Sequence, residues 1–262
     1  MNFRLLTLAL VSKLALARIG QQEQGSITQQ DDLSVAPAPV SSSQLMDRNL
    51  AAASSSRSTS AKNVGKFKIT VHNIAFQQPM SRFFAAVHSS LAAPLYEFGQ
   101  PATEPLALLA ENGDPEPLVK YYKGMGRSAG MLAAGVATDG ALVVGAPRSF
   151  VVTTSHGSPY VSFASMAINT NDCFVGAAGI LLEDGLELYL PGLDAGSEEN
   201  NELCNSIPGP ACADIDTENV RSGNGEGFVH VHRGFFGIGP DLSQVGYDWR
   251  NPMLKVKVER IF

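Results

Sequence analysis

The residues most able to do chemistry are concentrated in one stretch of the chain. Between Asp172 and Glu226 stand twelve acids (Asp172, Glu183, Asp184, Glu187, Asp194, Glu198, Glu199, Glu202, Asp214, Asp216, Glu218 and Glu226), with Arg221 the only Lys or Arg among them. Such a block is either a solvated acidic surface or a site for a hard cation, because Ca²⁺ takes six to eight oxygen ligands, several of them carboxylates. Two of its segments follow runs that read as strands: Asn169-Thr-Asn-Asp172 and Leu193-Asp-Ala-Gly-Ser-Glu-Glu-Asn200. Loops beyond strand ends let carboxylates and backbone carbonyls converge without commitments to a sheet. Gly196 would allow a sharp bend between Asp194 and Glu198. The twelve-residue spacing of an EF-hand is absent.

His230-Val-His232 is the second constellation. Residues i and i+2 of a strand share a face, so both imidazoles would reach one metal. The segment is similar to the His-Val-His of copper–zinc superoxide dismutase, but no histidine follows His232, and His72, His88 and His156 are scattered upstream. The alternative is structural hydrogen bonding beside the glycine-rich turn at 234–239. Cys204 and Cys212 flank Ile207-Pro-Gly-Pro210 and are expected to pair in an oxidising compartment, leaving Cys173 as a buried, inert thiol. There is no Gly-x-Ser-x-Gly elbow, no phosphate-cradling Gly-x-x-x-x-Gly-Lys and no His-Glu-x-x-His. The glycines at 223–227 surround Glu226, which would repel phosphate, and adjacent acids such as Glu183 and Asp184 do not by themselves imply glycosidase work.

The elements that must position these groups read mainly as strands. Phe67, Ile69 and Val71 alternate with Lys68, Thr70 and His72 in a strand over 66–74, and Leu254, Val256 and Val258 alternate with Lys255, Lys257 and Glu259 over 253–261. Strands are also predicted over 148–154, 160–167, 186–190 and 228–232. Helices are predicted over 81–91, over 103–110 with Thr103 as N-cap and Pro105 in the first turn, and over 117–122. The apolar stretch 131–146 is glycine-rich and broken by Asp139. Terminal strands at both ends, with short strands and Gly/Asp/Pro loops between them, give an antiparallel β-sandwich with one to three short helices in the N-terminal half.

The remaining sequence sets the context. Residues 1–17 carry the parts of a signal peptide, with Arg4, an apolar Leu5–Val11 run interrupted afterwards by Lys13, and Ala15 and Ala17 at the expected cut. The run is too short to span a bilayer, and no later segment qualifies, so secretion without a membrane span is expected. Residues 18–65 are rich in Gln, Ser and Ala and hold too few large apolar side chains to form a core, which marks a flexible linker. No Asn-x-Ser/Thr acceptor occurs. A net charge of −6 among 262 residues argues against a nucleic-acid partner.

Five segments in order carry a family resemblance. These are Phe67-Lys-Ile-Thr-Val-His-Asn-Ile74, then Leu95-Tyr-Glu-Phe-Gly99 with Leu106–Asp114, then Thr170-Asn-Asp-Cys-Phe-Val-Gly176, then Asp194-Ala-Gly-Ser-Glu198, and finally Asp248-Trp-Arg-Asn-Pro252 with Val256-Lys-Val-Glu-Arg-Ile261. Over 66–262 the chain resembles the spondin domain, the module of F-spondin and mindin. The resemblance implies a C2-like antiparallel β-sandwich holding one divalent cation, Ca²⁺, through Asp172, Asp194 and Glu198. Cys173 stands where the family has an aromatic residue, and Glu198 where its animal members have Asp. It further implies a secreted, non-enzymatic adhesion or recognition module that binds an extracellular protein or glycan. The rival is a metal-dependent enzyme, superoxide-dismutase-like or other, built on His230 and His232.

Overall fold

A computed structural model describes residues 61–213, 221 and 223–262. The leader expected over 1–17 lies outside the described residues, as does the expected linker except for 61–65. Residues 61–65, read as linker from their composition, are part of the described structure. A short 3-10 turn, Ala61–Asn63, leads into the first strand, and buried Asn63 donates from Nδ2 to the Leu182 carbonyl at 2.9 Å.

The described strands are β1 (Gly65–Asn73), β2 (Phe84–His88), β3 (Met131–Val136), β4 (Arg148–Thr154), β5 (Tyr160–Met166), β6 (Cys173–Leu181), β7 (Glu187–Leu190), β8 (Gly192–Asp194), β9 (His230–Val231) and β10 (Leu254–Arg260). They form two antiparallel sheets, one of four strands ordered β4-β1-β10-β7 and one of six ordered β3-β2-β5-β6-β8-β9. The molecule is an all-β sandwich, as the alternation at both chain ends predicts. Those ends pair in the middle of the smaller sheet: Ile69 lies opposite Val258 on one side and Phe150 on the other.

Phe67, Ile69, Val71, Val256 and Val258 meet Val87, Val161, Phe163 and Val175 of the larger sheet to make the core between the layers. Each such side chain contributes roughly 1.5–3 kcal/mol by leaving water. The larger sheet is covered on its outer face as well. Helix α1 (Glu104–Asn112) and helix α2 (Glu116–Met125) lay Leu106, Leu109, Leu118 and Tyr122 onto Phe84, Phe174 and Leu193. Thr103 stands at the N-cap of α1, but its backbone carbonyl rather than its hydroxyl takes the first N–H groups. Gly113, left-handed at φ 67°, ends that helix.

Two departures from the sequence reading share one cause. The helix expected over 81–91 is instead β2, paired between β3 and β5. Its Phe84 and Ala86 face the helices while Ala85 and Val87 face the other sheet. With both faces covered, no polar residue marks the period of two, and alanine-rich composition mimics a helix. β3 is an edge strand with only Met131 buried, yet Met131-Leu-Ala-Ala-Gly-Val136 likewise carries no polar residue to mark a period of two. Two helices lie in the N-terminal half as expected, and a third, α3 (Gln244–Tyr247), lies near the C-terminus.

Candidate metal centre

The edge of the larger sheet brings three sequence-distant residues into one row. Cys173 of β6 pairs with Asp194 of β8, and Asp194 pairs with His230 of β9. Residues directly opposite across a sheet project to the same face. Asp172 precedes the row by one residue, and the loop 194–198 folds over its end.

That loop is wound around two carboxylates. Asp172 Oδ2 accepts the N–H groups of Ser197 and Glu198 at 2.7 and 3.0 Å and the Ser197 hydroxyl at 3.2 Å. Asp194 Oδ1 accepts the Gly196 N–H at 2.8 Å. Gly196 makes the bend at φ 66°, as its position between the two acids predicts. Asp172, Asp194 and Glu198 are 0%, 1% and 2% exposed, so these predicted ligands are not part of a solvated acidic surface.

Burial of so much negative charge has an electrostatic consequence. Loss of water, followed by repulsion from Asp194, pushes the Asp172 carboxyl up to about 7 against the hydrogen bonds that favour its charged form. Burial also raises Asp194 above the ordinary carboxylate range, opposed by its bonds to Asn200 and Gly196 and by His230. Asp172 Oδ1 is buried with no hydrogen-bond partner. A buried carboxylate oxygen in that condition calls for a counter-charge.

Glu226 enters the centre from a distant segment. The chain at 223–228 crosses directly over the 194–198 loop, backbone on backbone. A Cβ at Gly225 would lie 2.7 Å from the Glu198 nitrogen, and one at Gly196 would lie 2.6 Å from the Phe228 nitrogen, so only glycine fits at either point of the crossing. Glu226 Oε2 then stands 3.8 Å from His230 Nε2, and Asp194 Oδ1 stands 3.7 Å from the same nitrogen. Asn200 ties the two acids together, donating from Nδ2 to Asp194 Oδ2 at 2.7 Å and to Glu226 Oε1 at 3.3 Å.

The two histidines have separated roles. His232 is buried, and its Nδ1 accepts the Gly234 N–H at 3.1 Å. Its Nε2 therefore carries the proton and donates to Asn200 Oδ1 at 3.0 Å. Burial, followed by the neighbouring His230, lowers it to about 3, so it stays neutral and orients Asn200. Trp249 packs against its ring at 5.1 Å between centroids, while Asn251 donates to the His232 carbonyl at 2.7 Å and accepts the Gly192 N–H at 2.8 Å. The Asp248–Pro252 motif is thus the brace that holds β8 and the end of β9 together. His230 is different: its Nδ1–H donates to the Val231 carbonyl at 3.1 Å, and its Nε2 is buried with no hydrogen-bond partner.

Other members of the acid block organise loops. Buried Glu202 gathers the N–H groups of Phe236 and Ile238 at 2.6 and 2.9 Å and so shapes the turn at 234–239. Arg221 joins the block to α1, with Nε 2.8 Å from buried Glu111. Cys204 and Cys212 form the expected disulfide, and Asn169 Oδ1 accepts the Ala211 N–H inside the loop it closes at 3.1 Å. Cys173 is a free thiol, fully buried, and burial followed by Asp194 and Asp172 pushes it up, which disfavours the thiolate.

Among the described residues, the three His, Cys, Asp or Glu side chains whose ligand atoms all lie within 4.8 Å of one another are Asp194, Glu226 and His230. The sequence singles out Asp194 for this role; it counts Glu226 only as one acid among many and gives His230 a structural part. The signal for Glu226 was its place between Gly225 and Gly227, four residues before His230. No protein-family model matches the chain, and no curated protein matches it either.

Proposed function

We propose that the chain is a secreted, calcium-binding adhesion or recognition module of the spondin type, without enzymatic activity, that engages an extracellular protein or glycan. The observation that carries the reading is Asp172 Oδ1, a buried carboxylate oxygen without a hydrogen-bond partner beside a second buried carboxylate, Asp194. Oxygen donors on loops beyond strand ends suit a hard cation of variable coordination. Asp172, Asp194 and Glu198 would hold the ion, and it would neutralise charge that otherwise forces the loops apart. The antiparallel sandwich and the order of the five resembling segments favour the spondin type.

His232 has both ring nitrogens committed to hydrogen bonds, which weighs against an enzyme that uses His230 and His232 together as ligands. Metal content of the purified chain tests the function. Stoichiometric calcium lost on Asp172→Asn supports it, whereas a protein that takes up no calcium at millimolar concentration sinks it.

A further inference from the structure

The centre has two chemically distinct sides. Asp172 and the 194–198 loop offer only oxygen, while the opposite side offers a nitrogen as well. We propose that Asp194, Glu226 and His230 form a site for a divalent transition ion of the zinc class, sharing Asp194 with the calcium carboxylates but not depending on calcium. His230 Nδ1–H donates to the Val231 carbonyl, which leaves Nε2 as the ring's ligand atom, 3.7 Å from Asp194 Oδ1 and 3.8 Å from Glu226 Oε2.

Three ligand atoms thus lie within 4.8 Å of one another, with His230 Nε2 too far from either carboxylate for a hydrogen bond. Two ligands on bonds of about 2 Å to a tetrahedral ion stand roughly 3.3 Å apart, so His230 Nε2 is within about half an ångström of that spacing from each carboxylate oxygen. The outer partners match what a bound ion needs. A carbonyl fixes the imidazole tautomer, and the Asn200 amide holds the far oxygens of both carboxylates, Asp194 Oδ2 and Glu226 Oε1. Three protein ligands leave one position of the tetrahedron for water or for a ligand atom from a partner.

The test is zinc titration of the purified chain by calorimetry in saturating calcium, with Co²⁺ as a spectroscopic probe of nitrogen ligation. The wild type should bind one zinc ion, and His230→Ala and Glu226→Gln should each weaken it tenfold or more, by analogy with losses of about 10–100-fold for outer partners alone. The calcium-induced rise in melting temperature should survive in both variants, which also reports that they fold. Asp172→Asn should do the reverse, losing the calcium response and keeping zinc. A wild type that binds no zinc, or a His230→Ala variant that binds it undiminished, overturns the proposal whatever the calcium result.

Discussion

Asp194 and His230 stand directly opposite each other on β8 and β9, with Oδ1 and Nε2 3.7 Å apart. A two-residue strand at a sheet edge would be too short to hold such a pair by its ladder alone. The pairing persists because Asn251 bonds both to Gly192 and to the His232 carbonyl, bridging the two strands from outside.

Removal of that bridge is the first test. Asn251→Ala leaves the Gly192 N–H and the His232 carbonyl without their partner, at a cost of about 1–3 kcal/mol. Denaturant unfolding should show the loss, and zinc affinity should fall although no proposed ligand is changed.

Calcium at a hundredfold excess over its dissociation constant should stabilise the wild type by about 2.7 kcal/mol, equivalent to roughly 5–10 °C in melting temperature for a domain of this size. Asp194→Ala should abolish that rise in scanning calorimetry. An unchanged rise in the variant removes Asp194 from the calcium site.

The ion-free protein should lose stability as pH rises. Asp172 has its ordinary value of 3.8 when unfolded and about 7 when folded, so the folded chain holds this proton more tightly. The resulting stabilisation is complete below about pH 4 and is lost as pH rises through about 7. Melting temperature measured in chelator should fall across that window, and Asp172→Asn should flatten the profile. Calcium, which favours the ionised carboxyl, should oppose the fall in the wild type.

Gly225→Val places a branched side chain against the backbone of the 194–198 loop. Overpacking of this kind costs typically about 1–3 kcal/mol, and here it also displaces the neighbouring Glu226. Zinc affinity should drop with it. The same substitution at Gly227, where a Cβ would meet nothing within 4 Å, provides a comparison, although its φ of 81° adds backbone strain of its own.

Arg221→Ala should destabilise the domain by about 1–3 kcal/mol, because Glu111, 7% exposed at the side chain, loses the guanidinium that pairs with it. Glu111→Gln in the same background should recover part of the loss, which chemical denaturation can measure.

Legibility followed the surroundings of each residue. β1 and β10 were readable because one face meets the core and the other meets water, which writes a period of two into the sequence. β2 and β3 were not, since neither alternates polar with apolar residues: β2 is covered on both faces, and β3, though at the sheet edge, is wholly apolar. The burial of Asp172 and Asp194 side by side was within reach because each ends or follows a strand, a relationship visible over a few residues. Glu226 and Asn200 were missed because their place depends on one loop crossing another through Gly196 and Gly225, and no local pattern records which loops cross. His232 does hydrogen-bond beside the glycine-rich turn, as the sequence suggests, but the different surroundings of His230 were hidden, because they rest on which ring nitrogen meets a backbone group.

The pairing of β1 with β10 has a consequence for how the molecule comes into being. β1 lies beside β10 although nearly the whole described chain separates them, so the smaller sheet cannot close until both strands have been made and brought together. Every loop of the candidate centre lies between those two strands in the chain. Closure of that sheet is a long-range event, which should make the domain a slow folder compared with one built from local contacts.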